Sequence, residues 1–299
     1  MSASLPRLGQ TLRGATGKNG RGVEGHPRVE NERDVLRRFQ DRTPYLQRLV
    51  DEIEDPPKPA IIVFKHLHGD LLTATKTKTL NRKEIKSVSR RVLEALKVLH
   101  EDGYVHADFK PDNVLVNYNP RYGEHDSRFS DIQLADLGGT YPADSHWARS
   151  GTPTGAPMWR SPEMIMETPW NTGTDIWSFG AMLISLIYGG DFNLFVHRVV
   201  PYDHEEYSFE VPKQQFRYFG PWPGKYGEIA SPETVRAILY IMQVIPQADT
   251  TPFCRITERE VCRKDNEFIQ KMMKMDWRDR PTARELLEDE WFKGEETSE

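Results

Sequence analysis

The clearest helix in the sequence runs straight into a string of polar residues, and that junction limits what the chain can fold into more than any other feature. Ile85, Val88, Val92, Leu96 and Leu99 recur at helical spacing, so one face between Asn81 and Asp102 must be buried. Asn81 with Glu84 makes a capping box, Leu80 and Ile85 stand where a hydrophobic staple closes, and Gly103 supplies the stop. After Tyr104-Val105 comes His106-Ala107-Asp108-Phe109-Lys110-Pro111-Asp112-Asn113, then the apolar run Val114-Leu115-Val116. A buried helix thus hands the chain to a tight loop, and the loop hands it to a strand.

The loop carries three tools for handling phosphate. Asp108 can accept a proton from an attacking hydroxyl, and Lys110 can neutralise charge on a phosphoryl group in transfer. Asn113 offers a neutral oxygen to a hard cation such as Mg2+. Pro111 stiffens the segment between them. The string H-x-D-x-x-x-x-N occurs in small-molecule phosphotransferases as well, and a lone Asp or Lys on a loop is ordinarily solvated surface, so more distant residues must decide.

Downstream, a polar insert from Tyr118 to Ser130 is longer than a hairpin needs, and Ile132-Gln133-Leu134-Ala135 then alternates into Asp136-Leu137-Gly138. That places Asp136 opposite Asn113 across a hairpin. Asp108 and Asp136 repel each other unless a cation lies beside them, a requirement that Mg2+ meets. The structural alternative is a strand-end Asp capping a turn.

Composition bounds the surroundings. A chain of 299 residues suffices for one large domain or two lobes, and 37% hydrophobic with 28% charged residues is ordinary for a water-soluble fold. A net charge of -5 argues against a nucleic-acid binder held by phosphate contacts. Cys254 and Cys262 fit neither zinc spacing nor a disulfide framework, which points to an intracellular setting, cytoplasm or nucleus. The apolar run Phe179 to Tyr188 is too short for a bilayer, so no membrane partner is expected. Residues 1–27, rich in Gly and Arg and without hydrophobic period, read as a disordered tail. With no acid before Glu24 they also have the composition of a transit peptide. Gly20, Gly22 and Gly25 spell G-x-G-x-x-G there without the flanking strands that motif needs, so chance in a glycine-rich tail is the better account.

Between tail and loop, Val29 to Phe39 suits a short amphipathic helix bearing Glu30 and Glu32. Tyr45 to Val50 and Ile61 to Phe64 read as strands around the turn-rich Asp55-Pro56-Pro57-Lys58-Pro59, with Lys65-His66-Leu67 as a connector. Beyond Asp136, residues 139–157 are rich in Ser, Thr, Gly and Pro and read as a mobile segment. Trp159-Arg160-Ser161-Pro162-Glu163 closes it, and Asp175-Ile176-Trp177-Ser178-Phe179-Gly180 opens a helix from Thr174 to Tyr188 that is apolar on nearly all sides. Arg278-Asp279-Arg280-Pro281-Thr282-Ala283-Arg284-Glu285 holds a second capping box, Thr282 to Glu285.

The ordered set HADFKPDN, DLG, WRSPE, DIWSFG and DRPTARELL resembles the large lobe of the protein kinases from about residue 60 to residue 292, and small-molecule phosphotransferases lack the last three. The resemblance implies an α+β, two-lobed protein-kinase-like fold: a tail at 1–27, a reduced β-containing small lobe at 28–64, a hinge at 65–68, a mostly helical large lobe at 69–292 and a second tail at 293–299. It implies a serine/threonine kinase using ATP and Mg2+ on a protein substrate, with Asp108 and Lys110 catalytic and Asn113 and Asp136 on the metal. Phe64, the backbone of Lys65 and Leu67, Leu115 and Glu32 would lie on the nucleotide side. It further implies that Glu163 pairs with Arg280 and that Asp175 anchors the catalytic loop from below.

Within the family, DLG, WRSPE and Phe219-Gly220-Pro221-Trp222-Pro223 look like the branch of cyclin-dependent and SR-protein kinases. Two departures stand out. Ala107 replaces the Arg that ordinarily pairs with a phosphorylated residue of the mobile segment, and Ala156 replaces a Thr or Ser ahead of the x-x-R-x-P-E run. A kinase small lobe also needs a glycine-rich strand pair and a strand lysine bonded to the helix glutamate. Between Met1 and Lys58 the only lysine is Lys18, with no apolar strand around it. A pseudokinase acting as a binding or scaffold module is therefore the alternative to an active enzyme.

Overall fold

A computed structural model describes residues 27–53, 61–121, 127–196, 200–201, 204 and 207–293. Gly20, Gly22, Gly25 and Lys18 lie outside the described residues, as do nearly all of both expected tails and part of the polar insert.

Helix α1 (Pro27–Phe39) opens with a proline, whose missing N–H costs nothing in a first turn, and buries Glu32, Val35, Leu36 and Phe39. Strands β1 (Leu49–Ile53) and β2 (Ile61–Phe64) follow as an antiparallel pair, with Leu49 opposite Phe64. The first strand was expected at Tyr45 to Val50. It begins later because residues 45–47 are held elsewhere: Leu134 N donates to Tyr45 O at 2.7 Å and Gln47 N to Leu134 O at 2.8 Å, around a lone parallel bridge from Leu46. A short strand β3 (Gly69–Asp70) leads into α2 (Leu71–Thr77), capped by the Asp70 carboxylate on Thr73 N.

Helix α3 (Arg82–Glu101) carries the capping box expected of Asn81 and Glu84. Its stripe of Ile85, Val88, Val92, Leu96 and Leu99 is buried, at roughly 1.5–3 kcal/mol for each side chain. Strand β4 (Tyr104–Val105) then precedes the polar loop, and β5 (Val114–Tyr118) returns against β6 (Phe129–Leu134), with Val114 opposite Leu134. Strand order β3-β5-β6 forms the sheet under the loop.

Residues 139–157, expected as a mobile segment, contain regular structure. Strand β7 (Tyr141–Pro142) pairs with β4, and α4 (His146–Arg149) is capped by the Ser145 hydroxyl. The backbone polar groups here find partners in the loop's own neighbours, which composition alone does not reveal. Beyond it come α5 (Pro162–Ile165) and α6 (Gly173–Tyr188), the latter buried from Thr174 through Leu186. Helices α7 (Tyr207–Phe219), α8 (Pro232–Val244), α9 (Arg263–Met272) and α10 (Ala283–Leu287) complete the described chain, α10 with the expected Thr282–Glu285 capping box. Near the end Trp291 stacks on Phe268 at 4.4 Å, and its indole N–H donates to Asp265 at 2.6 Å.

Glu163 and Arg280 form the expected ion pair. The fork meets both carboxylate oxygens at 2.7 and 2.8 Å with neither side chain exposed, and Arg280 also donates to Gly173 O and Lys274 O. Breaking such a pair by deleting one partner costs about 3–5 kcal/mol, because the other charge stays buried.

Candidate active site

The loop between β4 and β5 is held from beneath by α6. Asp175 accepts from His106 N at 2.8 Å on one oxygen and from Ala107 N at 2.9 Å on the other, and His100 Nε2 lies 2.9 Å from the first. Ala107 occupies the left-handed region at φ 63, a conformation that costs a residue with a Cβ roughly 1–2 kcal/mol. Two bonds to a buried carboxylate hold it there. The Ala107 side chain packs with Val105, Ala148, Met164 and Trp170 in a small apolar cluster.

Asp108 follows, 9% exposed. Burial pushes its carboxyl above the ordinary range, and Lys110 pulls it back more strongly than Asp136 adds to the push. Lys110 Nζ stands 3.6 Å from its Oδ1. Pro111, Asp112 and Asn113 make one turn of 3-10 helix, and the Asn113 amide donates to Asp108 O at 2.8 Å. That bond commits the nitrogen and leaves Oδ1 as the atom able to take a cation.

Asp136 leaves the hairpin directly after Ala135, whose N–H donates to Asn113 O at 2.8 Å. Its own backbone is left-handed, at φ 59, which turns the chain into the 3-10 turn Leu137–Gly139. Helix α1 lies on that turn. A Cβ at Gly138 would stand 2.9 Å from Arg28 O, so only glycine permits the approach. Asn31 donates to Gly138 O at 3.1 Å and to Thr140 O at 2.9 Å, and Glu32 accepts from Leu137 N at 3.1 Å. Burial, then Asp136, pushes the Glu32 carboxyl up to about 8.

The donor set fits Mg2+. No group of three or more His, Cys, Asp or Glu that could hold an ion occurs among the described residues. Asn113 and Asp136 offer oxygen ligands, and Mg2+ characteristically keeps one or two protein ligands with phosphate and water completing its octahedron. A cation already lies by the carboxylates: Arg28 Nη2 is 3.5 Å from Asp108 Oδ2 and 3.9 Å from Asp136 Oδ1.

On the other side, Leu67, Leu115 and Ala135 form a small apolar cluster of their own. Phe64 belongs instead to the main core. Lys65 N is committed to Arg48 O at 2.9 Å, so of the Lys65 backbone only the carbonyl can meet a ligand. Its ammonium lies 3.5 Å from Asp131.

Sequence reasoning missed Arg28, Asn31 and the closing segment. Gly155 is left-handed at φ 70, and a Cβ there would stand 2.8 Å from Asp108 Oδ1. Thr154 donates to Ala107 O at 2.7 Å, while Arg160 holds the carbonyls of Thr154 and Gly155. One signal for Arg28 was present: it precedes Glu32 by one helical turn and so shares its face.

Compared with known proteins, residues 17–292 match the protein kinase domain family. The chain belongs to that family. Among similar proteins, serine/threonine-protein kinase PAK 4 of Homo sapiens is 35% identical over 129 residues, 43% of this chain and 20% of that protein. Serine/threonine-protein kinase shk1/pak1 of Schizosaccharomyces pombe is 33% identical over 129 residues, 43% of this chain and 18% of the relative. Calcium/calmodulin-dependent protein kinase type 1 of Macrobrachium nipponense is 31% identical over 192 residues, covering 62% and 51% of the two chains. The matched stretch thus spans between about a fifth and a half of these relatives' length. The kinase family generally uses ATP and Mg2+. No described helix is long and apolar enough to cross a membrane.

Proposed function

We propose that this chain transfers the γ-phosphate of ATP to serine or threonine hydroxyls of a protein substrate. The observation that carries the reading is convergence: Asp108, Lys110, Asn113 and Asp136 come from two turns on either side of one hairpin and are tied together by Asn113. In this reading Asp108 orients the substrate hydroxyl and receives its proton, a role suited to a carboxylate whose proton affinity burial has raised. Lys110 spreads charge over the moving phosphoryl group. Mg2+, when bound, supplies charge neutralisation across the phosphates, and Asn113 Oδ1 and Asp136 would hold it. Most of the rate then comes from positioning and electrostatics, which is why the bonds from Asp175 to the loop matter.

Leu67, Leu115 and Ala135 provide an apolar platform for the adenine, with Phe64 behind it and the Lys65 carbonyl and Leu67 backbone at its edge. Glu32 belongs to this side through Leu137 N. The same reading takes 28–64 as a residual small lobe, 65–68 as hinge and 69–292 as large lobe. DLG and WRSPE suggested the cyclin-dependent and SR-protein branch, whereas the relatives above bear the names of PAK and calmodulin-dependent kinases and lend that branch no specific support. Serine/threonine specificity is common to both.

The test is transfer of labelled γ-phosphate to a general Ser/Thr protein acceptor, with Asp108→Asn and Asp136→Asn as controls. Transfer by the wild type that both substitutions abolish supports the reading. Tight Mg-ATP binding without transfer to any acceptor would favour the pseudokinase alternative.

A further inference from the structure

The turn that follows Asp136 is gripped by a neighbouring helix, and one side chain of that helix meets it twice. Asp136 is left-handed at φ 59, and the chain then makes the 3-10 turn Leu137–Gly139, closed by Thr140 N on Leu137 O at 3.0 Å. The amide nitrogen of Asn31, on α1, donates to Gly138 O at 3.1 Å and to Thr140 O at 2.9 Å. One bond lands inside the turn and the other at its exit. Gly138, Gly139 and Thr140 are buried, so water is poorly placed to replace a lost donor. We propose that Asn31 is a positioning residue for magnesium: its amide clamps the turn and so fixes the Asp136 carboxylate beside Asn113 in the direction the ion requires.

Three observations argue for the assignment, which rests on the kinase reading above. First, the chemistry matches the task. A primary amide presents two N–H donors on one nitrogen, which suits two carbonyls, and being neutral it adds no cation where Mg2+ is to sit. Second, Asn31 does not act alone, since the next residue, Glu32, accepts from Leu137 N at 3.1 Å. Two successive residues of α1 thus take three backbone groups of the four residues that follow Asp136. Third, helix and turn meet backbone to backbone, because a Cβ on Gly138 would stand 2.9 Å from Arg28 O. With no side chain between them to absorb a shift, the turn follows the helix. Asp136 adjoins the clamped residues, and a left-handed backbone at a residue with a Cβ lasts only while its surroundings hold it. Groups that orient a metal's own ligands commonly set its affinity over 10–100-fold, without touching the ion.

The test measures ATP binding by calorimetry, with Mg2+ and again in EDTA, for wild type, Asn31→Leu and Asn31→Ser. Hydrogen exchange of residues 136–142 and the melting temperature are read on each nucleotide-free protein. Asn31→Leu keeps the volume and removes both donors, whereas Asn31→Ser retains one hydroxyl donor and guards against a leucine variant that does not fold. Asn31→Leu should speed exchange in 136–142 and weaken ATP about tenfold with Mg2+, leaving binding in EDTA as in the wild type, with Asn31→Ser in between. A merely structural role would lower the melting temperature and leave the gain in affinity from Mg2+ unchanged, and that result would overturn the proposal. Equal weakening with Mg2+ and in EDTA would overturn it too, as would unchanged exchange in 136–142. If the wild type itself binds no nucleotide, the kinase reading fails first, whereas a wild type that binds Mg-ATP no better than Asn31→Leu overturns only the role of Asn31.

Discussion

Asp175→Asn is the perturbation that most sharply joins the fold to the site. Asp175 is 1% exposed and accepts from three donors: His106 N, Ala107 N and His100 Nε2. An asparagine retains one acceptor oxygen and turns an NH2 toward donors that then have nothing to bond. Hydrogen bonds to a charged group contribute about 1.5–3 kcal/mol each, so losing one or two of them lowers stability by roughly 2–4 kcal/mol. For a chain of this size that is a fall of about 3–6 °C in melting temperature. The strain at Ala107, at φ 63, adds to the loop's response, because the bonds to Asp175 help to hold that conformation. Asp108 is the next residue, and a shift of about 1 Å in it costs on the order of 100-fold in kcat. The KM for ATP should change far less, since the apolar cluster of Leu67, Leu115 and Ala135 takes no part in the bonds to Asp175. Thermal denaturation and steady-state kinetics on the purified variant read both effects. A fall below about 1 °C with unchanged kcat would refute the view that α6 holds the catalytic loop.

Three further outcomes are expected. Glu163→Ala should destabilise by about 3–5 kcal/mol in urea unfolding, whereas Glu163→Leu combined with Arg280→Met should recover most of that loss; equal damage from the double variant would contradict a charge-burial origin. Glu32 is held up to about 8 against an ordinary 4.5, so the folded chain keeps a proton that the unfolded chain has released. Stability should therefore fall as pH rises from 4.5 toward 8, by up to roughly 1.4 kcal/mol per pH unit, and Glu32→Gln should flatten that slope and exceed the wild type at pH 8; parallel curves for the two proteins would contradict it. Ala107 leaves no arginine at its position for a phosphate on residues 139–157, and those residues are already pinned by the Thr154 hydroxyl on Ala107 O, the Trp170 indole on Thr152 O and the Arg160 guanidinium on the Thr154 and Gly155 carbonyls. Phosphatase treatment, and alanine at Ser145, Ser150 or Thr152, should leave activity within about twofold, and activity lost on dephosphorylation and regained on rephosphorylation would count against it.

The parts of the fold legible in sequence were those where local chemistry and tertiary packing agree. The Asn81 and Thr282 capping boxes, the stripe on α3 and the all-round burial of α6 are short-range patterns that the structure retains. The Glu163–Arg280 pair and the anchoring by Asp175 followed from the family resemblance rather than from spacing, since 117 residues separate the first pair. What escaped was set by contacts between distant segments. The strand expected at Tyr45 gave way because β6 captured residues 45–47. The segment after Asp136 was ordered by pairing of β7 with β4, which no local propensity announces. Arg28 read as one more charge on an amphipathic helix, and only the close approach of α1 to Gly138 and Gly139 gives it a place at the site.

The central claim is that Asp108, Lys110, Asn113 and Asp136 face one magnesium nucleotide, and a thermal-shift titration tests it most directly. Wild type, Asp136→Asn and Asn113→Ala are titrated with ATP in the presence of Mg2+ and again in EDTA. The account predicts a saturable rise in melting temperature for the wild type that needs Mg2+ and is lost or greatly reduced in both variants. A wild type unmoved at millimolar Mg-ATP, or a shift that survives both substitutions and EDTA alike, would contradict it.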